Sequence, residues 1–234
     1  SKKALHAGLG EWPFETFAEY LDTIENQGTA VNVACYLGHS PLRVYVMGED
    51  AMSREAREDE IDQMKILLRE AIDVGAIGLA TSESPNHVGY EGRPVPSRLA
   101  NFNEIHALAK VMGEMGHGII QISAGGEIRF DHYTALAEAT GNNVNWSSLL
   151  TRKTHPNLHN EYLAKTNELI QGGKPIYPQM SCRELTMEFD FSEPFPMERL
   201  KLFEQFGGLN RDDRKKIYSD LLFRSELAKE MSSQ

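Results

Sequence analysis

The sequence predicts an α/β fold with a parallel sheet, and three observations support this prediction. Apolar runs short enough to be buried strands begin five times along the chain. Most of them are followed by a helical stretch with one apolar face, an alternation typical of strand–helix units around a parallel sheet. A closed barrel of eight such units usually has about 250 residues. Because 234 residues carry only about five units, we expect a partial (β/α)8 barrel.

Each predicted element rests on a local pattern. Helices are predicted where apolar residues recur every three or four positions, and Gly28, Gly75 and Gly116 end three of them. Strands are predicted where short runs of β-branched and other apolar residues occur. The elements, in order, are a helix at 15–25, a strand at 30–37, a helix at 55–74, a strand at 76–80, a helix at 103–115, a strand at 118–123, a helix capped by Asp131 and ending at 140, a strand at 144–150, a helix at 160–171 and a strand at 175–179.

The domain organisation follows from the same pattern. We expect one incomplete barrel domain over residues 1–234, with a helical and charged C-terminal part from about residue 194. No low-complexity linker indicates a second independent domain. The acidic residues around Asp59 and Glu60 are expected to form a solvated helix face and not a catalytic carboxylate pair.

Composition and charge exclude several classes of partner. A formal net charge of -10 disfavours nucleic acid and anionic membranes, which normally bind basic surfaces. No apolar run approaches the roughly 20 residues that span a bilayer, and no signal peptide is recognisable. Cys35 and Cys182 form no Cys-x-x-Cys pair. These features predict a cytoplasmic protein whose partner is a small molecule or another protein.

Candidate functional residues lie after the predicted strands, because ligands of parallel α/β folds bind at the carboxyl ends of strands. The loop after the second predicted strand has about 17 residues, whereas such loops usually have about 2 to 6. We therefore expect this loop to bind a ligand, although its prolines and arginines could instead form a stiff, solvated crossover. The candidates are His39, Ser40 and Arg43 after the first strand, Ser82 at the end of the second strand, and Ser84, His87, Arg93, Ser97 and Arg98 in the loop.

His39 has several roles open to it. A histidine at a strand end is suited to act as a general base, a metal ligand or a hydrogen-bond donor to substrate, and a structural hydrogen bond is equally compatible with its position. The sequence has no His-x-His pair, no Gly-x-Ser-x-Gly elbow and no phosphate-binding loop.

Several segments resemble one enzyme family. The segments are Ala4–Trp12, Trp12–Leu21, Gly38–Gly48, Gly75–Ser82 and Gly92–Arg98. The similarity extends from about residue 4 to 183 and is strongest over 38–98. These residues resemble the D-aminoacylase, or N-acyl-D-amino-acid deacylase, branch of the amidohydrolase superfamily. The resemblance implies a metal-dependent (β/α)8 barrel that hydrolyses an amide C–N bond, with zinc polarising the carbonyl and activating water.

The chain departs from the family pattern at the metal ligands. Family members carry a His-x-His pair after the first barrel strand and an aspartate near the last strand, and we expect both to lie outside this chain. Histidines expected at the fifth and sixth strand ends are replaced by hydroxyl and amide groups, which are poor zinc ligands. We therefore predict zinc for the family but no metal ligand in this chain. The replacing residues are Gln121, Ser123, Asn145 and Ser147.

The predicted function is that of an amidohydrolase-like protein acting on N-acyl-D-amino acids or related small amides. His39 is its catalytic candidate, and His39 and Arg43 are expected to brace a strand end. The loop candidates, with Arg43, are expected to hold the acyl or carboxylate end of the substrate. Two alternatives stay open. One is a non-catalytic binding or assembly protein that forms homo-oligomers through open sheet edges, and the other is a metal-independent hydrolase using His39 and a serine.

Overall fold

The computed structural model alternates strands and helices as the sequence predicts. It describes residues 13–89, 93–126, 128–151, 155–184, 186, 188–192, 194, 197 and 200–232. The strands and α-helices are α1 (Phe17–Gln27), β1 (Leu37–Gly38), α2 (His39–Met47), α3 (Glu58–Asp73), β2 (Gly78–Ser82), α4 (Phe102–Met115), β3 (Ile119–Ser123), α5 (Phe130–Thr140), β4 (Val144–Ser147), α6 (Leu158–Gln171), β5 (Ile176–Gln179), α7 (Arg211–Ser219) and α8 (Leu221–Ser232).

The five strands form one parallel sheet in the order β1-β2-β3-β4-β5. A doubly wound sheet reverses its strand order at a switch point, whereas a barrel adds each new strand on the same side of the last. No reversal occurs among the described strands. The predicted parallel α/β arrangement is therefore confirmed, and the strand order is that of an arc of a barrel.

One face of the sheet forms the core of the molecule. Alternate strand residues point to opposite faces, and on one face they are buried against the helices, which present apolar stripes of their own. The buried strand residues are Leu79, Ile120, Ile122, Val144, Trp146 and Ile176, and the helical residues that complete the cluster include Met64, Leu68, Leu108, Met112, Tyr133 and Leu136. A separate apolar cluster in the C-terminal part consists of Leu200, Phe203, Phe206 and Phe223.

The opposite face of the sheet is polar at the carboxyl ends of the strands. At the carboxyl ends of β2 to β5, Ser82, Ser123, Ser147 and Gln179 stand side by side in register. We call the three serines among them the hydroxyl row. All except Ser82 keep contact with solvent. The described helices include none that is both long and apolar enough to cross a membrane.

The predicted strand at 30–37 is almost entirely missing. Only Leu37 and Gly38 pair with β2, while Val31 and Val33 are 71% and 50% exposed. β1 is the edge of the described sheet, so this segment has a neighbour on one side only. Its strand-forming residues therefore cannot bury their side chains or complete a ladder on both edges.

Two smaller predictions are also wrong. Asp131 does not cap its helix, because α5 already begins at Phe130 and Asp131 lies in its first turn.

Glu60 is not on a solvated face, since it is 6% exposed. Its carboxylate accepts hydrogen bonds from Arg54 and from the backbone N–H of Arg57. The bonds from Arg54 chiefly lower the pKa of Glu60, to about 2.

A buried ion cluster joins α2, β2 and α4. His39 Nε2 lies 2.8 Å from Glu104 Oε1, and Arg43 donates to the other oxygen of the same carboxylate. His39 Nδ1 is 2.8 Å from the Thr81 hydroxyl, and Arg43 also donates to the Arg54 carbonyl at 2.8 Å. The side chains of His39, Arg43 and Glu104 are completely inaccessible to solvent. We call His39, Arg43, Thr81 and Glu104 the Glu104 cluster.

The charge balance of the cluster is visible in the pKa of Glu104. Burial alone would raise this pKa, but the hydrogen bonds and charges of His39 and Arg43 outweigh burial and lower it. The ionised carboxylate is therefore the form that stabilises the fold.

Replacing Glu104 with Gln should cost about 3–5 kcal/mol of unfolding free energy at pH 7, because the Arg43 charge is left buried without its partner. A carboxyl whose folded pKa lies below its ordinary value of 4.5 stabilises the fold above that value and loses this effect as the pH falls through the folded pKa. The difference between wild type and E104Q should therefore shrink in acid, as measured by urea unfolding at pH 7, 5 and 4. Glu114→Gln, which removes an exposed partner of Arg69, is the control and should cost at most about 0.5 kcal/mol. An E104Q effect that is equally large at every pH would contradict this assignment.

The close approach of α4 and α5 gives a second test. A Cβ on Gly113 would lie 2.1 Å from the carbonyl oxygen of Ala139. Gly113→Ala should therefore force the helices apart and lower the unfolding free energy by about 3 kcal/mol. At Gly141, which has a φ of +64°, an added Cβ meets nothing within 4 Å, so Gly141→Ala should cost only the backbone strain of about 1 kcal/mol. Thermal unfolding of both variants measures the difference, and equal losses would be inconsistent with a steric origin.

Candidate functional site

A groove of about 390 Å3 lies at the carboxyl ends of β1 and β2. Ligands of parallel α/β folds bind at this end of the sheet. Larger depressions of about 870 and 690 Å3 lie between the outer faces of α3 and α4 and in the C-terminal part. We take the smaller groove as the candidate site because of its position at the strand ends. Its polar lining residues are Ser40, Ser82, Asn86, His87 and Ser97, together with His39 and Thr81 of the Glu104 cluster.

The long loop predicted after the second strand forms one wall of this groove. It leaves β2 at Ser82 and leads to a short 3₁₀ turn, Pro96–Leu99. The guanidinium of Arg98 donates to the carbonyls of Pro85 and His87 at 3.4 and 3.2 Å. Arg98 therefore closes the loop on itself, a contact that the sequence does not reveal.

Three serines join the loop to the strand ends. Ser97 is buried, and its hydroxyl donates to the carbonyl of Ser82 at 3.2 Å. The Ser40 hydroxyl donates to the Ser97 hydroxyl at 3.0 Å and accepts from the Ser97 backbone N–H at 3.0 Å. These bonds fix the start of α2 and the 3₁₀ turn against β2, so the groove has a defined shape.

The shortest side-chain contact in the groove joins Ser82 and His87. Ser82 Oγ and His87 Nδ1 are 2.6 Å apart, and the Ser82 hydroxyl also accepts from the Ser84 backbone N–H at 3.2 Å. Partial burial lowers the pKa of His87, and the positive charge of Arg98 lowers it further. The imidazole is therefore neutral at pH 7.

The structure brings only some of the predicted site residues together. His39 and Arg43 lie in the Glu104 cluster, where the two ring nitrogens of His39 and part of the Arg43 guanidinium have protein partners. This arrangement suits the bracing role expected for them, while a catalytic role for His39 and substrate binding by Arg43 stay predictions that this geometry does not favour.

The remaining loop candidates differ in their surroundings. The Ser84 hydroxyl accepts a hydrogen bond from the Asn86 backbone N–H at 3.3 Å. Arg93 is exposed beside the antiparallel bridge between Val88 and Pro94. Tyr90, another residue of this loop, and the resembling run at 4–12 lie outside the described residues.

Glu104 and Thr81 are the site-forming residues that sequence reasoning did not select. Glu104 was hidden because Asn101 and Glu104 have the spacing of a helix N-terminus, and Asn101 does cap α4 through the Glu104 N–H at 3.0 Å. The available signal was the spacing of His39 and Arg43, which are four residues apart on one helix face and need an acidic partner if buried.

The described residues do not fit the zinc ion that the family resemblance implies. No three His, Cys, Asp or Glu side chains in this part of the chain come close enough to share a metal ion. The hydroxyl row and the neighbouring Gln121 offer hydroxyl and amide groups, whereas zinc prefers thiolate, imidazole and carboxylate ligands. No chemical step is therefore assigned to zinc here.

Known proteins with similar sequences include deacylases of N-acyl-D-amino acids. A D-aminoacylase of Alcaligenes xylosoxydans xylosoxydans is 46% identical over 72 residues, which is 31% of this chain and 14% of that protein. An N-acyl-D-glutamate deacylase of the same organism is 31% identical over 109 residues, or 46% of this chain and 20% of the relative. The matches thus span a fifth or less of these relatives. No family model matches the chain.

Solved structures with a similar fold also belong to enzymes of this kind. A D-aminoacylase studied for its binuclear metal center has a TM-score of 0.57 and 25% identity, and the match covers 71% of this chain and 33% of that one. An N-acyl-D-glutamate deacylase of Bordetella bronchiseptica, complexed with zinc and a phosphonate inhibitor, has a TM-score of 0.56 at 19% identity, covering 69% of this chain and 33% of the other, and shares the fold. These matches confirm both the predicted partial barrel and the resemblance: over part of its length, the chain is related to the D-aminoacylase and N-acyl-D-amino-acid deacylase branch of the amidohydrolases.

Proposed function

We propose that this chain forms the substrate-binding wall of an amidohydrolase acting on N-acyl-D-amino acids or related small amides. The groove at the ends of β1 and β2 carries the proposal, because it lies where such folds bind ligands and belongs to a chain related to deacylases. The relatives supply the substrate class, and the groove supplies hydrogen-bonding groups for it.

The chemistry of the groove suits a ligand with exposed oxygen atoms. Ser40 and Ser97 use their hydroxyls to hold the wall together, whereas the His87 ring lines the groove close enough to Arg98 to feel its charge. No carboxylate among the described residues pairs with Arg98, so its positive charge raises the potential beside His87. A carbonyl or carboxylate oxygen would be attracted to this wall.

The described residues do not form a zinc site that could activate water. We therefore propose substrate binding, and not complete catalysis, for this chain by itself. The purified chain should bind N-acetyl-D-methionine weakly, with a Kd of about 1 mM, because one wall buries only part of the ligand. Chemical-shift changes in 15N-labelled protein should map to residues around the groove and be smaller with the L-enantiomer.

Arg98→Gln should weaken this binding by about tenfold, because it removes the positive charge and the loop contacts. Arg69→Gln, on the outer surface with Glu114, should leave it unchanged.

Release of the free amino acid is to be measured with added zinc and with EDTA. Robust zinc-dependent turnover would refute the proposed division of labour, and absence of binding by either enantiomer would refute the proposed function.

A non-catalytic assembly protein is the second candidate, and the exposed edge beside β1 favours it. Val31 and Val33 are apolar, exposed and adjacent to a strand with an unpaired side. If this edge pairs with a second copy, the mass in solution should be that of a dimer of two 26.3 kDa chains. The double variant V31K/V33K should then be monomeric, because charge on the edge opposes pairing. A wild-type monomer at 100 μM, measured by light scattering, would eliminate this candidate.

A further inference from the structure

The Ser82 hydroxyl has two neighbours, and their identities determine its proton. The backbone N–H of Ser84 donates to Oγ at 3.2 Å, and His87 Nδ1 lies 2.6 Å from the same oxygen. A hydroxyl has one proton and two lone pairs. The Ser84 N–H uses one lone pair, so the remaining question is whether Ser82 or His87 supplies the proton between them.

Hydrogen-bond satisfaction answers this question. If His87 Nδ1 carried the proton, Ser82 Oγ would accept twice and its own proton would need a third partner. No other described residue lies within hydrogen-bond distance of this hydroxyl, and Ser82 is 8% exposed. If Ser82 donates to Nδ1, both the Ser82 hydroxyl and Nδ1 are satisfied. In that arrangement the neutral ring carries its proton on Nε2.

The surroundings of the ring oppose its protonation. Burial and the nearby Arg98 both lower the pKa of His87. A histidine that removes a proton from a serine normally has an acidic partner that stabilises the imidazolium, whereas Glu83, the acid next to Ser82, pairs with Arg129. The geometry therefore favours a neutral donor over a Ser82–His87 nucleophile pair.

The loop also holds His87 in place. The backbone N–H of His87 donates to the Ser84 carbonyl at 3.0 Å. The backbone carbonyl of His87 accepts from the Arg98 guanidinium at 3.2 Å and from the Val95 backbone N–H at 3.4 Å. No described residue accepts a hydrogen bond from Nε2, and the ring lines the groove. A fixed donor with an unused proton at a groove wall is prepared for an oxygen atom of a ligand.

We propose that Ser82 is a positioning residue that fixes His87 in its Nε2–H form, and that this N–H binds a carbonyl or carboxylate oxygen of the ligand. The positioning by Ser82 stands on the geometry of the free protein, and only the identity of the ligand rests on the proposed function. Ser82 thus acts through His87 and does not itself contact the substrate.

The positioning is tested without ligand by the 15N chemical shifts of the His87 ring at pH 7. Wild type should show one protonated nitrogen, Nε2, and one unprotonated nitrogen, Nδ1, with widely separated shifts. In Ser82→Ala the separation should narrow, because both tautomers become populated. Ser82→Thr keeps a hydroxyl and should restore the wild-type shifts, and Ser53→Ala, at an exposed turn, should not change them. A wild-type ring protonated on Nδ1, or shifts unaffected by Ser82→Ala, would overturn the proposal.

The ligand contact is tested with N-acetyl-D-methionine. Ser82→Ala should weaken its binding about fivefold and His87→Ala about tenfold, while His87→Gln, whose side-chain amide can replace the Nε2–H, should retain more affinity than His87→Ala. Equal losses in His87→Gln and His87→Ala would refute the donor role. A wild-type ring in the expected form together with no binding of this ligand would overturn the proposed function, while the positioning by Ser82 would stand.

Discussion

The carboxylate of Glu104 is the interaction on which the ligand-facing end of the sheet depends. It lies on α4 and is hydrogen-bonded to His39 and Arg43 on α2. The other ring nitrogen of His39 is hydrogen-bonded to Thr81 on β2. Three elements that are distant in sequence therefore meet at one anion. Removing one charge would leave the other without water or a partner, which costs more than the pair contributes as a whole. The rim of the groove, from Gly38 to Ser40, is consequently fixed by the buried hydrogen bonds to Glu104 within an apolar core.

Much of the fold could be predicted because its causes are local. Helices α3 and α4 were predicted to within three residues of their ends, since a repeating apolar face and a terminal glycine are both visible in the sequence. The strand at 30–37 could not be predicted correctly in the same way. Its side chains favour a strand, yet β1 is the edge of the described sheet, and the apolar pattern of the segment does not show that Val31 and Val33 will be exposed.

The candidate site shows the same division between local and long-range causes. A loop of unusual length after a strand could be recognised, and it does form the groove wall. The partners within the site could not be recognised, because Arg43 and Glu104 are 61 residues apart and Arg98 folds back onto its own loop. The prediction of a solvated position for Glu60 was wrong for a related reason. A run of acidic residues gives no indication of which one will be buried and pair with two arginines.

The hydroxyl row has a consequence for how this surface could change over evolutionary time. Each serine hydroxyl turns freely about a single bond and exchanges donor for acceptor without moving the backbone. Ser123 and Ser147 belong to strands whose opposite faces hold the core together. New chemistry could therefore be introduced at these two positions by single replacements, while the layer of Ile122 and Trp146 beneath them continued to specify the same architecture.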